Sequence, residues 1–131
     1  MATTPADATG RESEAPAAAA LARLVAQIAD SAALKRGLQI VGGGTKLGLN
    51  PPSDALRLSL VDYAGIIAYQ PSELVIEARA GTRLDVIEQA LAAQGQRLAF
   101  EPPRFGPAAT IGGVVSAGLS GQCLLDDIES R

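Results

Sequence analysis

The chain has 131 residues, a formal net charge of −3 and a hydrophobic fraction of 47%, which is enough for one ordinary domain at most. It contains no histidine, no tryptophan and one cysteine. These absences exclude a Ser-His-Asp or Cys-His nucleophile, a His-ligated zinc or haem, a CxxC redox pair and an intrachain disulfide. Any difficult chemistry therefore requires a bound cofactor or a partner chain.

The charge distribution gives no reason to expect nucleic acid or a membrane as partner. Acidic residues concentrate near the two ends, and the body between them is close to neutral. Two tyrosines and two phenylalanines are too few for the stacking surface of a single-strand binder. No stretch reaches the roughly 18 apolar residues that span a bilayer, and the N-terminus lacks the positive region of a secretory signal. We therefore expect a cytoplasmic protein without direct membrane insertion.

Residues 1–17 are rich in Ala, Thr, Ser, Glu and Pro. They cannot bury enough apolar surface to offset their ordering entropy, which predicts a disordered leader. From Leu21 the apolar residues recur at steps of three and four, which predicts an amphipathic helix. Its apolar face consists of Leu21, Leu24, Val25, Ile28 and Ala32. Residues 35–37, Lys-Arg-Gly, provide a cationic last turn and a glycine stop.

Several short apolar runs predict strands. They cover residues 38–41, 56–61, 65–69, 74–80 and 97–100. The second and third runs are separated by a short turn-like linker, so we expect them to pair with each other. After the last run, residues 101–103 have the sequence Glu-Pro-Pro, and each proline biases its predecessor toward an extended turn.

The segment after residue 80 predicts a second helix. Thr82 can serve as its N-cap, and Asp85 stands at the third helical position. Its apolar stripe consists of Leu84, Val86, Ile87, Ala90 and Leu91. Gly95 then ends the helix. Strands that alternate with helices in this way indicate a compact α/β unit.

A glycine-rich segment follows the first predicted strand directly. It consists of Gly42, Gly43, Gly44, Thr45 and Lys46. Consecutive glycines allow backbone N–H groups to converge into an anion-binding nest, to which the threonine adds a hydroxyl and the lysine a cation. The spacing fits neither a P-loop nor a Rossmann fingerprint, because Leu49 and Leu47 stand where those motifs need lysine and glycine. A mobile turn between strands is the alternative.

A second segment of small residues covers 110–121 and has glycines at 112, 113, 118 and 121. It predicts either a turn leading into a helix or an extended loop with accessible backbone. The alternative to ligand binding is that these glycines permit close helix packing.

These motifs occur in a recognisable order over residues 20–121. They lie at 40–46, 58–60, 65–69, 71–76, 78–82, 91, 95–103 and 109–113, and Glu-Pro-Pro followed by Thr-Ile-Gly-Gly is the most specific combination. In these motifs the chain resembles the PCMH-type (vanillyl-alcohol oxidase-like) FAD-binding domain. Within that superfamily it is most similar to the FAD-binding E subunits of bacterial glycolate oxidases.

The resemblance implies an α/β (α+β) fold with an incomplete second lobe. Residues 18–107 correspond to the first lobe, a small mixed sheet with flanking helices, and residues 108–121 to the start of the second. Residues 122–131 are an acidic tail, where the family continues with a proline and a basic pair. We therefore expect a truncated, frame-shifted or split gene product. Cys123 and the pair Asp126-Asp127 are interpreted as tail residues without a metal site.

The resemblance also implies an FAD site made largely by backbone. Residues 42–46 would surround the pyrophosphate, and residues 110–118 would approach the diphosphate and the flavin. The candidate cofactor-binding residues are Gly42, Gly43, Gly44, Thr45, Lys46, Thr110, Ile111, Gly112, Gly113, Ser116 and Gly118. Many relatives tether flavin through histidine or cysteine. Because this chain has no histidine and Cys123 lies outside the matched motifs, we expect noncovalent FAD.

The activity implied is oxidation of a 2-hydroxy acid such as glycolate to glyoxylate. The implied partners are a homologous D-type flavin subunit and an iron–sulfur subunit, which would also provide any peripheral attachment to the inner membrane. No catalytic residue is identified, and catalysis by this chain alone is not expected. The alternatives are another flavoenzyme of the superfamily, such as a lactate or sugar-lactone dehydrogenase, a non-catalytic assembly module, and a nonfunctional remnant that binds no flavin.

Overall fold

The computed structural model describes residues 14–49, 54–102, 104–118 and 121–122. Over these residues the helices are α1 (Glu14–Ala33), α2 (Leu84–Ala92) and α3 (Ile111–Ala117). The strands are β1 (Leu38–Val41), β2 (Leu56–Ser59), β3 (Ile66–Gln70), β4 (Val75–Ala78), β5 (Phe100–Glu101) and β6 (Gly121–Gln122). Short 3₁₀ turns cover Leu47–Leu49 and Pro71–Glu73. The predicted leader up to residue 13, Pro103 and the tail from Cys123 lie outside the described residues.

The strands pair in three two-stranded sheets. The α/β class is confirmed, but the described strands do not form the one small mixed sheet that was expected. Strand β1 pairs with β2 in parallel, β3 with β4 antiparallel, and β5 with β6 antiparallel. The predicted pairing of 56–61 with 65–69 is therefore wrong. The linker between these runs turns the chain away from β2, and the N–H of Gly81 then binds the carbonyl oxygen of Tyr63 beside the β3–β4 hairpin.

Helix α1 begins at Glu14, so it includes residues 14–17, which the sequence had assigned to the leader. Its buried side chains include Ala17, Ala20 and Leu24, and the helix contacts β2. The small alanine side chains allow this close approach. Because the helix packs through them, part of the predicted apolar face is exposed to solvent: Leu21, Val25 and Ile28 are 46%, 58% and 47% exposed. No helix in the described ranges is long and apolar enough to cross a membrane.

The end of α1 differs from the predicted glycine stop. The backbone enters the left-handed region at Lys35, where φ is 51°. The N–H of Lys35 donates to the carbonyl of Ala32 at 3.1 Å, and the N–H of Arg36 donates to that of Ser31 at 3.0 Å. This pair of hydrogen bonds is a Schellman motif, which needs a left-handed residue at the position that lysine occupies here. Gly37 lies beyond the motif and does not end the helix.

Helix α2 supplies the best-buried part of the core. Leu84, Ile87 and Leu91 are 1%, 1% and 6% exposed, which confirms these members of the predicted stripe, whereas Val86 faces solvent. Gly95 ends the helix with a φ of 66°, as predicted.

Thr82 has a role other than the predicted helix cap. The N-cap position belongs to Arg83, which makes no side-chain capping hydrogen bond. Thr82 is 2% exposed; its hydroxyl accepts from the N–H of Gly65 at 2.9 Å and donates to the carbonyl of Arg79 at 2.6 Å. It therefore joins the two ends of the β3–β4 hairpin to the start of α2.

Candidate functional site

The two glycine-rich segments lie against each other. A Cβ atom on Gly42 would collide with the side-chain oxygen of Thr110, and a Cβ atom on Gly43 would collide with the carbonyl oxygen of Ala108. Glycine is therefore required at both positions for the segments to approach this closely. The sequence suggested close packing as an alternative role for the glycines of the second segment. The glycines of the first segment have this role as well.

Backbone hydrogen bonds of 2.9 Å fix the second segment to the connection between β4 and α2. They run from the N–H groups of Leu84, Ile111 and Gly112 to the carbonyls of Ala109, Thr82 and Ala80. A Cβ atom on Gly112 would lie 2.8 Å from that of Ala80, so this glycine serves helix packing.

Helix α3 decides between the two conformations predicted for the second segment. Thr110 is its N-cap, and the threonine hydroxyl oxygen accepts a hydrogen bond from the N–H of Gly113 at 3.3 Å. The segment is therefore a turn leading into a helix. Gly118, in the left-handed conformation, ends that helix.

A cleft of ≈ 350 Å³ lies between the two segments. Its lining consists of Ile40, Val41, Gly42, Gly43, Gly44, Thr45, Lys46, Leu47, Thr110, Gly113, Ser116 and Ala117. The whole predicted first segment is present, together with Thr110, Gly113 and Ser116 of the second. Ile111, Gly112 and Gly118 do not line the cleft. Four cleft-lining residues are not among the predicted site residues: Ile40, Val41, Leu47 and Ala117. Helical spacing from Gly113 could have indicated Ala117.

The first segment presents unpaired hydrogen-bond donors to the cleft. The N–H groups of residues 42–46 make no hydrogen bond to another described residue. Gly44 has a φ of 73°, a conformation that allows successive N–H groups to point toward one centre. None of the described residues that line the cleft has a carboxylate side chain. The arrangement is therefore suited to an anion that accepts several hydrogen bonds.

Lys46 is the cation of the cleft. Partial burial lowers the pKa of its ammonium group below the ordinary value, because removal from water disfavours the charged form. Within the described residues it has no carboxylate partner in an ion pair. Its Nζ lies 5.8 Å from the ring centroid of Phe105, within the range of a cation–π contact. An anion in the cleft would supply the counter-charge that the lysine lacks.

Phe105 lies beside this lysine. It is not among the predicted site residues. It is 60% exposed and has a φ of 50°. Left-handed backbone costs a residue with a side chain about 1–2 kcal/mol, whereas an exposed cation–π contact contributes about 0.5–1 kcal/mol. The contact with Lys46 therefore does not offset the cost of the left-handed backbone conformation at Phe105.

Comparison with known proteins identifies the fold. A family model described as "FAD binding domain" matches residues 16–126. The chain belongs to this family. FAD is accordingly the cofactor of this domain, and the PCMH-type resemblance seen in the sequence is confirmed.

The FAD-binding chain is 43% identical over 98 residues to the glycolate oxidase subunit GlcE of Escherichia coli (strain K12). The alignment covers 75% of this chain and 28% of that relative. The chain thus spans little more than a quarter of the length of the curated relative. No solved structure shows a significant match.

Proposed function

We propose that the cleft binds the diphosphate of FAD, with residues 42–46 as its main donors. The observation that carries this proposal is a run of N–H groups beside Lys46 that have no partner among the described residues, in a cleft whose described lining contains no carboxylate. Converging backbone N–H groups bind phosphate oxygens, and a lysine adds charge-assisted hydrogen bonds. The hydroxyls of Thr110 and Ser116 can donate from the opposite wall. The volume of ≈ 350 Å³ is at the lower end for ligand pockets, which suits one part of a dinucleotide.

The binding we propose is noncovalent. Covalent flavin attachment of the kind described above uses histidine or cysteine, and the chain has no histidine and one cysteine, Cys123. None of the described residues that line the cleft is a cysteine. Denaturation should therefore release intact FAD into solution, where a covalent flavin would stay with the protein.

We further propose that the site belongs to a glycolate oxidase-like complex that oxidises a small 2-hydroxy acid, such as glycolate to glyoxylate. The similarity to GlcE supports this assignment. When bound, FAD supplies the acceptor for the hydride that leaves the α-carbon of the substrate. The residues of this chain bind and orient the cofactor, and among the described residues that line the cleft Lys46 is the one with a titratable side chain.

We assign removal of the substrate's hydroxyl proton to a homologous D-type flavin subunit. An iron–sulfur subunit would accept the electrons. We expect the complex in the cytoplasm, with any contact to the inner membrane made by these partners.

Titration of the purified full chain with FAD tests the binding proposal. We expect saturable binding close to one FAD per chain, and free FAD in the supernatant after acid denaturation. Lys46→Met should weaken binding without unfolding the chain, while Gly48→Ala is a matched control, because no atom of the described residues lies within 4 Å of a Cβ at that position. A cooperatively unfolding chain that takes up no FAD would contradict the proposal.

An assembly module without flavin is the second candidate. The exposed side chains of Leu21, Val25 and Ile28 on α1 favour it, since an apolar stripe is a common docking surface. The same titration separates the two functions: a folded chain that binds no FAD supports the assembly module. Failure to unfold cooperatively would instead indicate a nonfunctional remnant.

A further inference from the structure

The backbone on both sides of Phe105 is anchored, although its own ring is exposed. The preceding residue, Arg104, forms an ion pair with Glu88 of α2. On the other side, the carbonyl oxygen of Gly106 accepts a hydrogen bond from the N–H of Ala109 at 3.4 Å. Phe105 thus lies beside the cleft between two residues that each make a contact of their own.

We propose that the ring of Phe105 stacks on a heteroaromatic ring of the bound dinucleotide, either adenine or isoalloxazine. The inference rests on the proposed function, because it requires FAD in the cleft. Aromatic side chains bind planar heterocycles through their exposed faces, with little dependence on which heterocycle is present. A stacked ring would cover the apolar surface that Phe105 exposes to water in the free chain.

The position of Lys46 supports this arrangement. The lysine lines the cleft, and its ammonium also lies 5.8 Å from the ring centroid of Phe105. The phosphate site and the ring are therefore separated by no more than the reach of one side chain. A phosphate attached to a heterocycle can engage the lysine and the ring together, whereas a phosphate alone can engage only the lysine.

The competing explanation is that Phe105 only positions Lys46. Both roles predict weaker FAD binding when the ring is removed, but they differ for a ligand without a ring. If Phe105 stacks, its loss weakens binding of FAD and leaves pyrophosphate unaffected. If it positions the lysine, both ligands lose affinity to the same degree.

The first experiment compares Phe105→Leu and Phe105→Tyr with the unmodified chain for FAD, FMN, ADP and inorganic pyrophosphate, the last measured by competition against FAD. We expect Phe105→Leu to bind FAD about five- to 150-fold more weakly and to bind pyrophosphate as before. Phe105→Tyr, which retains the ring, should keep its affinity. A loss with ADP identifies adenine as the stacked ring, and a loss with FMN identifies isoalloxazine.

The second experiment uses the absence of tryptophan from the chain. Phe105→Trp introduces a single tryptophan, whose emission can be excited selectively, at the proposed stacking position. Leu74→Trp is its control, because Leu74 also has a positive φ, is 79% exposed and does not line the cleft. We expect ADP or FMN to change the emission of Phe105→Trp more than that of Leu74→Trp, and pyrophosphate to leave both unchanged.

The two proposals fail in different ways. An unmodified, folded chain that binds no FAD overturns the proposed function and the stacking role together. If that chain binds FAD, equal affinities for Phe105→Leu, or an equal loss of FAD and pyrophosphate, overturn the stacking role alone. Circular dichroism and thermal melting confirm that each variant is folded, which we expect because most of the Phe105 side chain is exposed.

Discussion

Thr110 occupies the space that a side chain on Gly42 would need. It cannot move aside easily, because it is 2% exposed and its oxygen accepts a hydrogen bond from the N–H of Gly113. At the next position, the carbonyl oxygen of Ala108 takes the corresponding space above Gly43. The shape of the cleft therefore depends on glycine, which has no Cβ atom, at positions 42 and 43.

Gly43→Ala should destabilise the fold, because the atom that obstructs its new methyl group belongs to the backbone. We expect the free energy of unfolding to fall by about 1–3 kcal/mol, with weaker FAD binding at temperatures where the variant remains folded. Urea denaturation followed by circular dichroism measures the change. Gly48→Ala is the control: its methyl group meets no atom of the described part of the chain within 4 Å, so stability should be unchanged or higher by up to about 1 kcal/mol. Equal midpoints for Gly43→Ala and the unmodified chain would contradict the packing role.

Thr82→Val tests the hydroxyl that joins the hairpin ends. Valine preserves the shape but leaves the N–H of Gly65 without its partner at 2.9 Å. An unsatisfied buried donor costs about 1–3 kcal/mol, so the urea midpoint should fall while the slope of the transition stays constant. Thr82→Ser retains the hydroxyl and should be the less destabilised of the two. The reverse order would show that packing of the methyl group matters more than the hydrogen bond.

Features with a local chemical cause could be predicted from the sequence. Gly95 as a helix stop follows from the left-handed preference of glycine, and the place of residues 42–46 in the cleft lining follows from a glycine run after a strand. The partner of β2 could not be predicted, because an alternating pattern identifies a strand but not its neighbour. Gly112 was assigned to the ligand, yet its missing side chain makes room for Ala80. Whether a glycine faces a ligand or another segment of the chain depends on how closely the segments pack in the folded protein. The sequence pattern does not contain that information.

Lys35 and Gly95 occupy equivalent left-handed positions after α1 and α2, and substitutions there should have opposite signs. Lys35→Gly removes the steric cost of a side chain but adds entropy to the unfolded chain. We expect a net gain of up to about 1 kcal/mol in the free energy of unfolding. Gly95→Ala introduces the same steric cost and should lose about 1 kcal/mol. Thermal melts of both variants test the pair, and a loss of stability in Lys35→Gly would contradict the Schellman assignment at that end.

Lys46 should make anion binding dependent on pH in the alkaline range. Burial lowers the pKa of its ammonium group in the free chain, so it loses its proton at lower pH than an exposed lysine does. Phosphate groups ionise near pH 6 and keep their charge throughout this range. ADP affinity should therefore fall as pH rises through the lowered pKa. Because bound phosphate favours the charged lysine, binding in that window should be accompanied by proton uptake.

The stability of the free chain should depend on pH in the opposite direction over the same window. Between the lowered folded pKa and the ordinary unfolded pKa of Lys46, the unfolded state binds more protons, so the free energy of unfolding rises with pH. Lys46→Met should bind ADP weakly at neutral pH. It should also remove the contribution of this lysine to the pH dependence of ADP affinity and to the pH dependence of the free energy of unfolding. Lys46→Arg should retain affinity at high pH, because a guanidinium group stays charged there. Lys35→Met, which changes the other lysine of the chain, is the control and should keep the pH profile of ADP binding. If Lys46→Met shows the same alkaline fall in ADP affinity as the unmodified chain, then a group other than Lys46 causes it, and the lysine does not contact the phosphate.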